Sequence, residues 1–418
     1  MNRLLVLLLV CVPLLFLAAA ASPSAADKGS PAPAPSRGMV MLTEEALRIH
    51  RDAPVFDGHN DLPWRLREMD DMSLRRIDLR KHQKDLHSDI PRLRKGGVGA
   101  QFWSAYVPAE GSKKGEAVRM TLEQIDLIHR LVRAYPDVFA FARTADDVER
   151  IRKEGKIASL IGVEGGHSID NSLGVLRTYY DLGVRYMTLT HSSTLDWADS
   201  ATDAPKSHGL SPFGEQVVRE MNRLGMLVDI SHVSAETMRH ALRVTRAPLI
   251  ASHSSAYAVA EHPRNVPDDV LRLVRDNGGV VMVNFFSGFD VPEAARLTQD
   301  IFAQYRQMQA KYPNQRDLRA ALAQWRKEHP LPTGSVHHVA DHIEHIIRVA
   351  GIDHVGVGSD FDGVDTLPRQ LEDVSCYTYL TQELLNRGYK EPDLRKILSG
   401  NILRVLRRAE EVARELTH

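Results

Sequence analysis

The chain has 418 residues, with 53 basic against 54 acidic side chains and 43% hydrophobic residues. That is the balance of a globular protein large enough to bury a substantial core. A net charge of −1 offers no footprint for nucleic acid or any other polyanion.

Arg3 precedes an apolar run at 4–17, and small residues follow, ending in Ser24-Ala25-Ala26. A basic start, an apolar centre and a small-residue exit describe a secretory signal peptide over 1–26. The run falls short of the roughly 20 apolar residues that span a bilayer. The expected mature form therefore has no transmembrane segment and is exported, either periplasmic or secreted. Cys11 lies inside the run, which argues against a lipoprotein cleavage site. Residues 27–38, rich in Pro, Ala and Ser, read as a tether ahead of one domain at 39–418. Of the 2 cysteines, removal of the signal leaves Cys376 alone, so no internal disulfide is expected.

From residue 40 onward, short β-branched runs alternate with amphipathic stretches. A strand at 54–58 comes first, then a second at 97–103 followed by a helix at 117–134. The third strand, 157–163, precedes a helix at 172–182, and the fourth, 184–190, precedes one at 212–224. The fifth, 226–230, leads to a helix at 234–244, and the sixth, 249–252, to one at 267–276. A seventh strand at 279–284 is followed by a charged, helix-rich excursion at 291–327, expected to be a lid or flank, and by a helix at 336–350. The eighth strand is 354–358, and the remainder reads as further helices. Ser or Pro begins several of these helices, as caps and first turns require.

Eight strand-then-helix units predict an α/β protein, a closed (β/α)8 TIM-like barrel with extra C-terminal helices and a helical insertion after the seventh strand. An open doubly wound sheet is the competing arrangement. No G-x-G-x-x-G follows a strand, which weakens its dinucleotide-binding version.

Strand after strand ends in a polar, metal-competent residue. His59 and Asp61 follow the first, Glu164 the third, His191 the fourth, His232 the fifth, His253 the sixth and Asp360 the eighth. In a barrel, the C-terminal strand ends converge on one face, where active sites are built. Any one of 19 histidines at a strand end is a coincidence; His82, His87, His208, His240 and His337 are expected to be solvated or locally bonded. The run of coincidences predicts a metal site. Imidazoles with carboxylates and no suitable thiol fit Zn²⁺ or another borderline divalent ion. The set exceeds what one open catalytic zinc needs, so two ions sharing a carboxylate are expected, and with them hydrolytic chemistry.

Six stretches, "VFDGHNDLPW", "GVEGGHSI", "LTHSSTLDWADS", "DISHVS", "SHSSAYAVAEHPRNVPDDVL" and "GVGSDFDG", resemble the membrane (renal) dipeptidase family of the metal-dependent amidohydrolase superfamily. The match runs in order from about residue 45 to the C-terminus. The resemblance implies a barrel that hydrolyses dipeptides with a hydroxide held at a binuclear zinc centre. It makes His59 and Asp61 ligands of one Zn²⁺, His232 and His253 ligands of the other, and Glu164 the bridge. His191 resembles the oxyanion donor, Arg264 the guanidinium that grips the substrate carboxylate, and Asp360 the proton-transferring acid/base. Asp57 and Asp362 are candidates for orienting ligands, His167 is expected to be structural, and Trp64 and Tyr257 either line the pocket or pack. For Arg264 the plainer alternative is a salt bridge with Asp268.

The sequence departs from the vertebrate members in lacking a C-terminal lipid-anchor signal and a cysteine for a linked dimer, so any homodimer is expected to be non-covalent. Two other classes remain open at this level. One is a different metal-dependent amidohydrolase, an N-acyl amino acid deacylase or a lactonase. The other is a non-catalytic exported zinc- or peptide-binding protein.

Overall fold

Parallel strands buried on both faces need apolar or small residues at nearly every position, and the candidate strands have them. In a computed structural model, residues 37–417 are described except 71, 110–114 and 313–314. The segment assigned to the export signal lies outside the described residues. Among the described residues nine strands form: β1 (Val55–Asn60), β2 (Val98–Tyr106), β3 (Phe139–Phe141), β4 (Ile157–Glu164), β5 (Val184–Thr188), β6 (Leu227–Asp229), β7 (Ile250–Ala251), β8 (Val280–Val283) and β9 (Val355–Val357). All pair in parallel, in the order β2-β1-β9-β8-β7-β6-β5-β4, and the ring closes where β2 runs beside β4 from Ala100↔Ala158 to Tyr106↔Glu164. This is the expected eight-stranded barrel, and the open sheet is excluded.

β3 lies outside the ring, pairing only with the first residues of β4. It has no counterpart in the sequence reading, since three residues are too few to display a period. Other strands are shorter than expected because side chains take over the ladder. Ser252 N, for instance, donates to Asp229 Oδ1 at 2.8 Å, and β7 stops at Ala251.

Helices between the strands start on side-chain caps. Ser172, Ser211 and Ser234 accept from the backbone N–H groups of Val175, Gly214 and Thr237. After β8 the insertion is helical, at Ser287–Asp290, Pro292–Lys311 and Gln315–Glu328. The last helix, Asn401–Thr417, closes the N-terminal end of the barrel. Asn401 Nδ2 donates to Val355 O at the start of β9, and Arg404 Nη1 to Gly278 O just before β8. Its Ile402, Leu406 and Ala409 join Phe56, Phe102, Tyr186 and Met282 of the barrel in one buried cluster. With that end plugged, the opposite rim is left for a site. Among the described residues, no helix is long and apolar enough to cross a membrane.

Interior packing leaves no slack around Gly162, where a Cβ would come within 1.9 Å of the Tyr186 ring. Gly162→Ala should therefore destabilise the fold by about 1–3 kcal/mol or more through overpacking. Gly174→Ala, on a helix whose nearest neighbouring atom is at 3.4 Å, should be neutral or stabilising by about 0.5–1 kcal/mol. Paired urea denaturation curves check both signs.

Candidate active site

The C-terminal strand ends bring the predicted residues together, all buried except the partly exposed His191. Glu164 leaves the end of β4 and lies at the centre. Its Oε2 faces His59 Nε2 at 3.5 Å, while its Oε1 faces His232 Nε2 at 3.1 Å, His253 Nε2 at 3.5 Å and His191 Nε2 at 3.7 Å. One oxygen thus looks toward the His59 side, where Asp61 Oδ2 is 3.1 Å from His59 Nε2. The other looks toward the His232/His253 side. Among the described residues, three trios have potential ligand atoms within 4.8 Å of one another: His59–Glu164–His253, Glu164–His191–His232 and His59–Asp61–Asp360.

Local backbone geometry aims these groups. His232 and Asp360 sit at φ 66° and 65°, left-handed positions that cost a non-glycine residue about 1 kcal/mol or more and turn the chain sharply at the rim. At Gly363 a Cβ would lie 2.3 Å from Asp61 Oδ2 and 2.5 Å from Asp360 Oδ1, so only glycine leaves these two carboxylates room.

Behind the site, other side chains fix its members. Tyr186 Oη is 2.7 Å from His59 Nδ1, Ser252 Oγ is 2.8 Å from His253 Nδ1, and Ser104 Oγ donates to Glu164 Oε2 at 3.2 Å. Asp229 accepts from Thr188 Oγ1, Ser252 Oγ and the Ser231 and Ser252 N–H groups, tying β5, β6 and β7 together beneath the imidazoles. Asp57 accepts from His59 N and from Ser359 N and Oγ, so it holds two strand ends rather than an imidazole ring. Asp362 Oδ1 accepts from His87 N, which places its hold on the neighbouring loop. Asn284 Nδ2 donates to Asp360 Oδ2 at 2.8 Å. Asn284 stands just past β8 and is found by the same positional rule as the others, but an amide is neither titratable nor a common ligand and drew no attention in the sequence.

The electrostatics separate the groups. Burial alone would raise the Glu164 carboxyl, but the surrounding imidazoles of His59, His191, His232 and His253 hold it well below the usual carboxylate range. Burial, with Arg264 and His191 nearby, holds His232 well below the usual imidazole value; burial and His59 do the same to His253. Neutral imidazoles are the form that binds metal. His59 answers to the opposite balance: burial disfavours its cation, yet Tyr186, Glu164 and Asp61 together hold its proton well above the usual value. A place that draws a proton so strongly suits a cation. Among the described residues, Asp61 Oδ1, His232 Nδ1 and His253 Nε2 are buried without a hydrogen-bond partner. That is costly unless something else satisfies them. The donor set, nitrogen and oxygen without sulfur, fits a divalent ion of the zinc type. Burial pushes the Asp360 carboxyl up to about 7.

Arg264 lies in the same cleft, 1% exposed. Among the described residues no carboxylate forms an ion pair with it, and its Nε has no hydrogen-bond partner. The salt bridge to Asp268 is not made; Asp268 instead meets His345 Nε2 at 2.6 Å. Burial lowers the Arg264 guanidinium only to about 10, so it remains a cation at neutral pH. The cleft, about 870 Å³, is also walled by Trp64, Tyr106, Phe286 and Phe289, and by Thr298 and residues 329–331 of the insertion, which here forms a flank of the site. Tyr257 is 39% exposed and is not part of this wall. His167 Nε2 meets Val107 O at 2.8 Å, a structural contact. His82 is exposed beside Asp89, whereas His87 bonds Asp362 N and reaches the cleft rim.

A family profile described as "Membrane dipeptidase (Peptidase family M19)" matches residues 43–418. The chain belongs to this family. It is 43% identical to Dipeptidase 3 of Mus musculus over 377 residues, 89% of this chain and 67% of that one. It is 40% identical to Dipeptidase verJ of Clonostachys rogersoniana over 391 residues, 90% of each. Among solved structures, a metallopeptidase from Rhodobacter sphaeroides, liganded with a phosphinate mimic of the dipeptide L-Ala-D-Ala, superposes with a TM-score of 0.70 at 26% identity, covering 85% of this chain and 99% of that one. As a membrane dipeptidase family member, the chain is a metallopeptidase, a hydrolase of peptide bonds.

Two outcomes follow for this member of the family. Gly363→Ala should weaken metal binding by at least about 10-fold, because the added methyl would displace Asp61, whose Oδ2 lies 2.3 Å from where it must sit; titration of chelated protein with Zn²⁺ measures it. Metal added back to the chelated wild type should raise its melting temperature, since the ion binds the folded site and not the unfolded chain.

Proposed function

We propose that this protein is an exported dipeptidase that splits dipeptides into free amino acids at a binuclear zinc centre. His59 and Asp61 would hold one ion, His232 and His253 the other, with Glu164 shared between them. The observation that carries this reading is the division of Glu164: one carboxylate oxygen toward His59, the other toward His232 and His253. Bound there, the ions would supply Lewis-acid polarisation of the peptide carbonyl and activation of water. The N-terminal sequence at 1–26 supports export.

The chain's own residues do the rest. Arg264 takes the substrate's C-terminal carboxylate, a planar anion that matches its planar fork. Because that carboxylate is one residue from the scissile bond, the same contact sets register and excludes longer peptides extended at that end. His191, partly exposed at the cleft and lowered below the usual imidazole value by burial, donates as a neutral ring to the oxygen that gains charge. Asp360, its Oδ2 fixed by Asn284, takes a proton and returns it to the leaving amine.

Purified protein should cleave simple L,L or L,D dipeptides, lose activity to a strong chelator and recover it with Zn²⁺. Steady-state assays on such a panel, beside N-acetylated amino acids and lactones, decide the substrate class. Turnover of the acylated substrates alone would replace the dipeptidase reading. Asp360→Asn should keep its metal and lose about 100-fold or more in kcat, measured with zinc content from the same preparation.

A further inference from the structure

Arg264 is a buried cation that its own hydrogen bonds do not orient. Its Nη1 reaches Ser254 Oγ at 3.3 Å and its Nη2 reaches His253 O at 3.4 Å, both at the long end of the range. An aromatic ring faces it instead. The guanidinium carbon is 5.2 Å from the centroid of Phe289, a distance at which a desolvated cation is attracted to a ring face. The ring of His262 packs against the same phenyl, 4.6 Å between centroids, and His262 Nδ1 accepts from the Arg264 N–H at 3.1 Å. Phe286 meets Phe289 edge-on at 4.9 Å.

Phe289 and Arg264 belong to different elements, one on the short helix after β8 and the other on the loop after β7. Asn265, 1% exposed, joins them. Its Nδ2 donates to Phe289 O at 2.7 Å and to Ala260 O at 2.9 Å, while its Oδ1 accepts from Ser255 N at 3.3 Å. Ser255 Oγ adds a second tie to the same helix through Asp290 Oδ1 at 2.7 Å.

We propose that Phe289 and Asn265 are positioning residues for the carboxylate clamp, the phenyl ring setting the plane of the Arg264 guanidinium and Asn265 fixing the ring against the arginine's loop. The inference rests on the reading of Arg264 as the group that takes the substrate carboxylate. A guanidinium free to rotate about its chain loses the parallel pair of donors that a carboxylate needs.

The test is the ratio of kcat/KM for a dipeptide to that for the same dipeptide amide, measured on zinc-loaded full-length enzyme with zinc content recorded. Arg264→Ala should bring the ratio close to one; if it keeps the wild-type ratio, the carboxylate reading itself fails. Phe289→Leu and Asn265→Ser should each lower the ratio about 10-fold or more, mainly through KM for the acid. Phe289→Tyr, which keeps the ring, should restore it. A wild-type ratio in Phe289→Leu and Asn265→Ser, beside a collapsed ratio in Arg264→Ala, overturns the positioning role and leaves the carboxylate reading intact. Equal losses on both substrates leave the ratio unchanged and likewise overturn it. Should one variant fail to fold, the other carries the same comparison.

Discussion

One carboxylate surrounded by imidazoles sets the terms for the whole barrel rim. Glu164 is buried and receives four histidines, each from the end of a different strand. A buried unpaired carboxylate would be prohibitively costly, and buried imidazoles lose their own hydration. Their mutual attraction offsets part of that cost, and a bound divalent ion offsets more. The arrangement survives only if the strands hold the groups within a few tenths of an ångström of one another. The closed parallel barrel does this, because its register cannot slip without turning every side chain to the other face.

The rigidity is built in layers. Tyr186, Phe56, Phe102 and Met282 fill the interior below the site, and the last helix seals the far end. Above them Asp229 and Asp57 act as buried fasteners, each gathering backbone and hydroxyl donors from neighbouring strand ends. Neither is placed to bind metal, yet both fix the chain segments from which ligands project. Strain at His232 and Asp360 is tolerated because this packed surround over-determines it.

The cleft also has a direction. Asp61, Glu164, His232 and Asp360 line it, and Arg264 stands beside them as a cation that, among the described residues, forms no ion pair. On the proposed reading, a substrate that brings its own carboxylate would supply its partner. The insertion after β8 contributes both the ring that faces that guanidinium and part of the outer wall, so the excursion from the regular barrel shapes the rim of the cleft.

The barrel strands, their order along the chain and the polar residues at their ends were legible in the sequence. Apolar runs of the right length and the helices between them follow from local periodicity alone. The candidate site residues could be named because metal-competent side chains recur at strand ends, the same position in most of the repeat units, and the six motifs fall on those positions. Tertiary structure decided what no local pattern encodes. It placed Asp268 against His345 instead of Arg264, set Asn284 behind Asp360, and laid Phe289 under the guanidinium. These contacts join segments far apart in the chain, and their partners are ordinary residues whose chemistry gives no sign in sequence. Strand ends show where a site must be; only the closed ring determines which side chains meet across it, because those distances are set by register and packing.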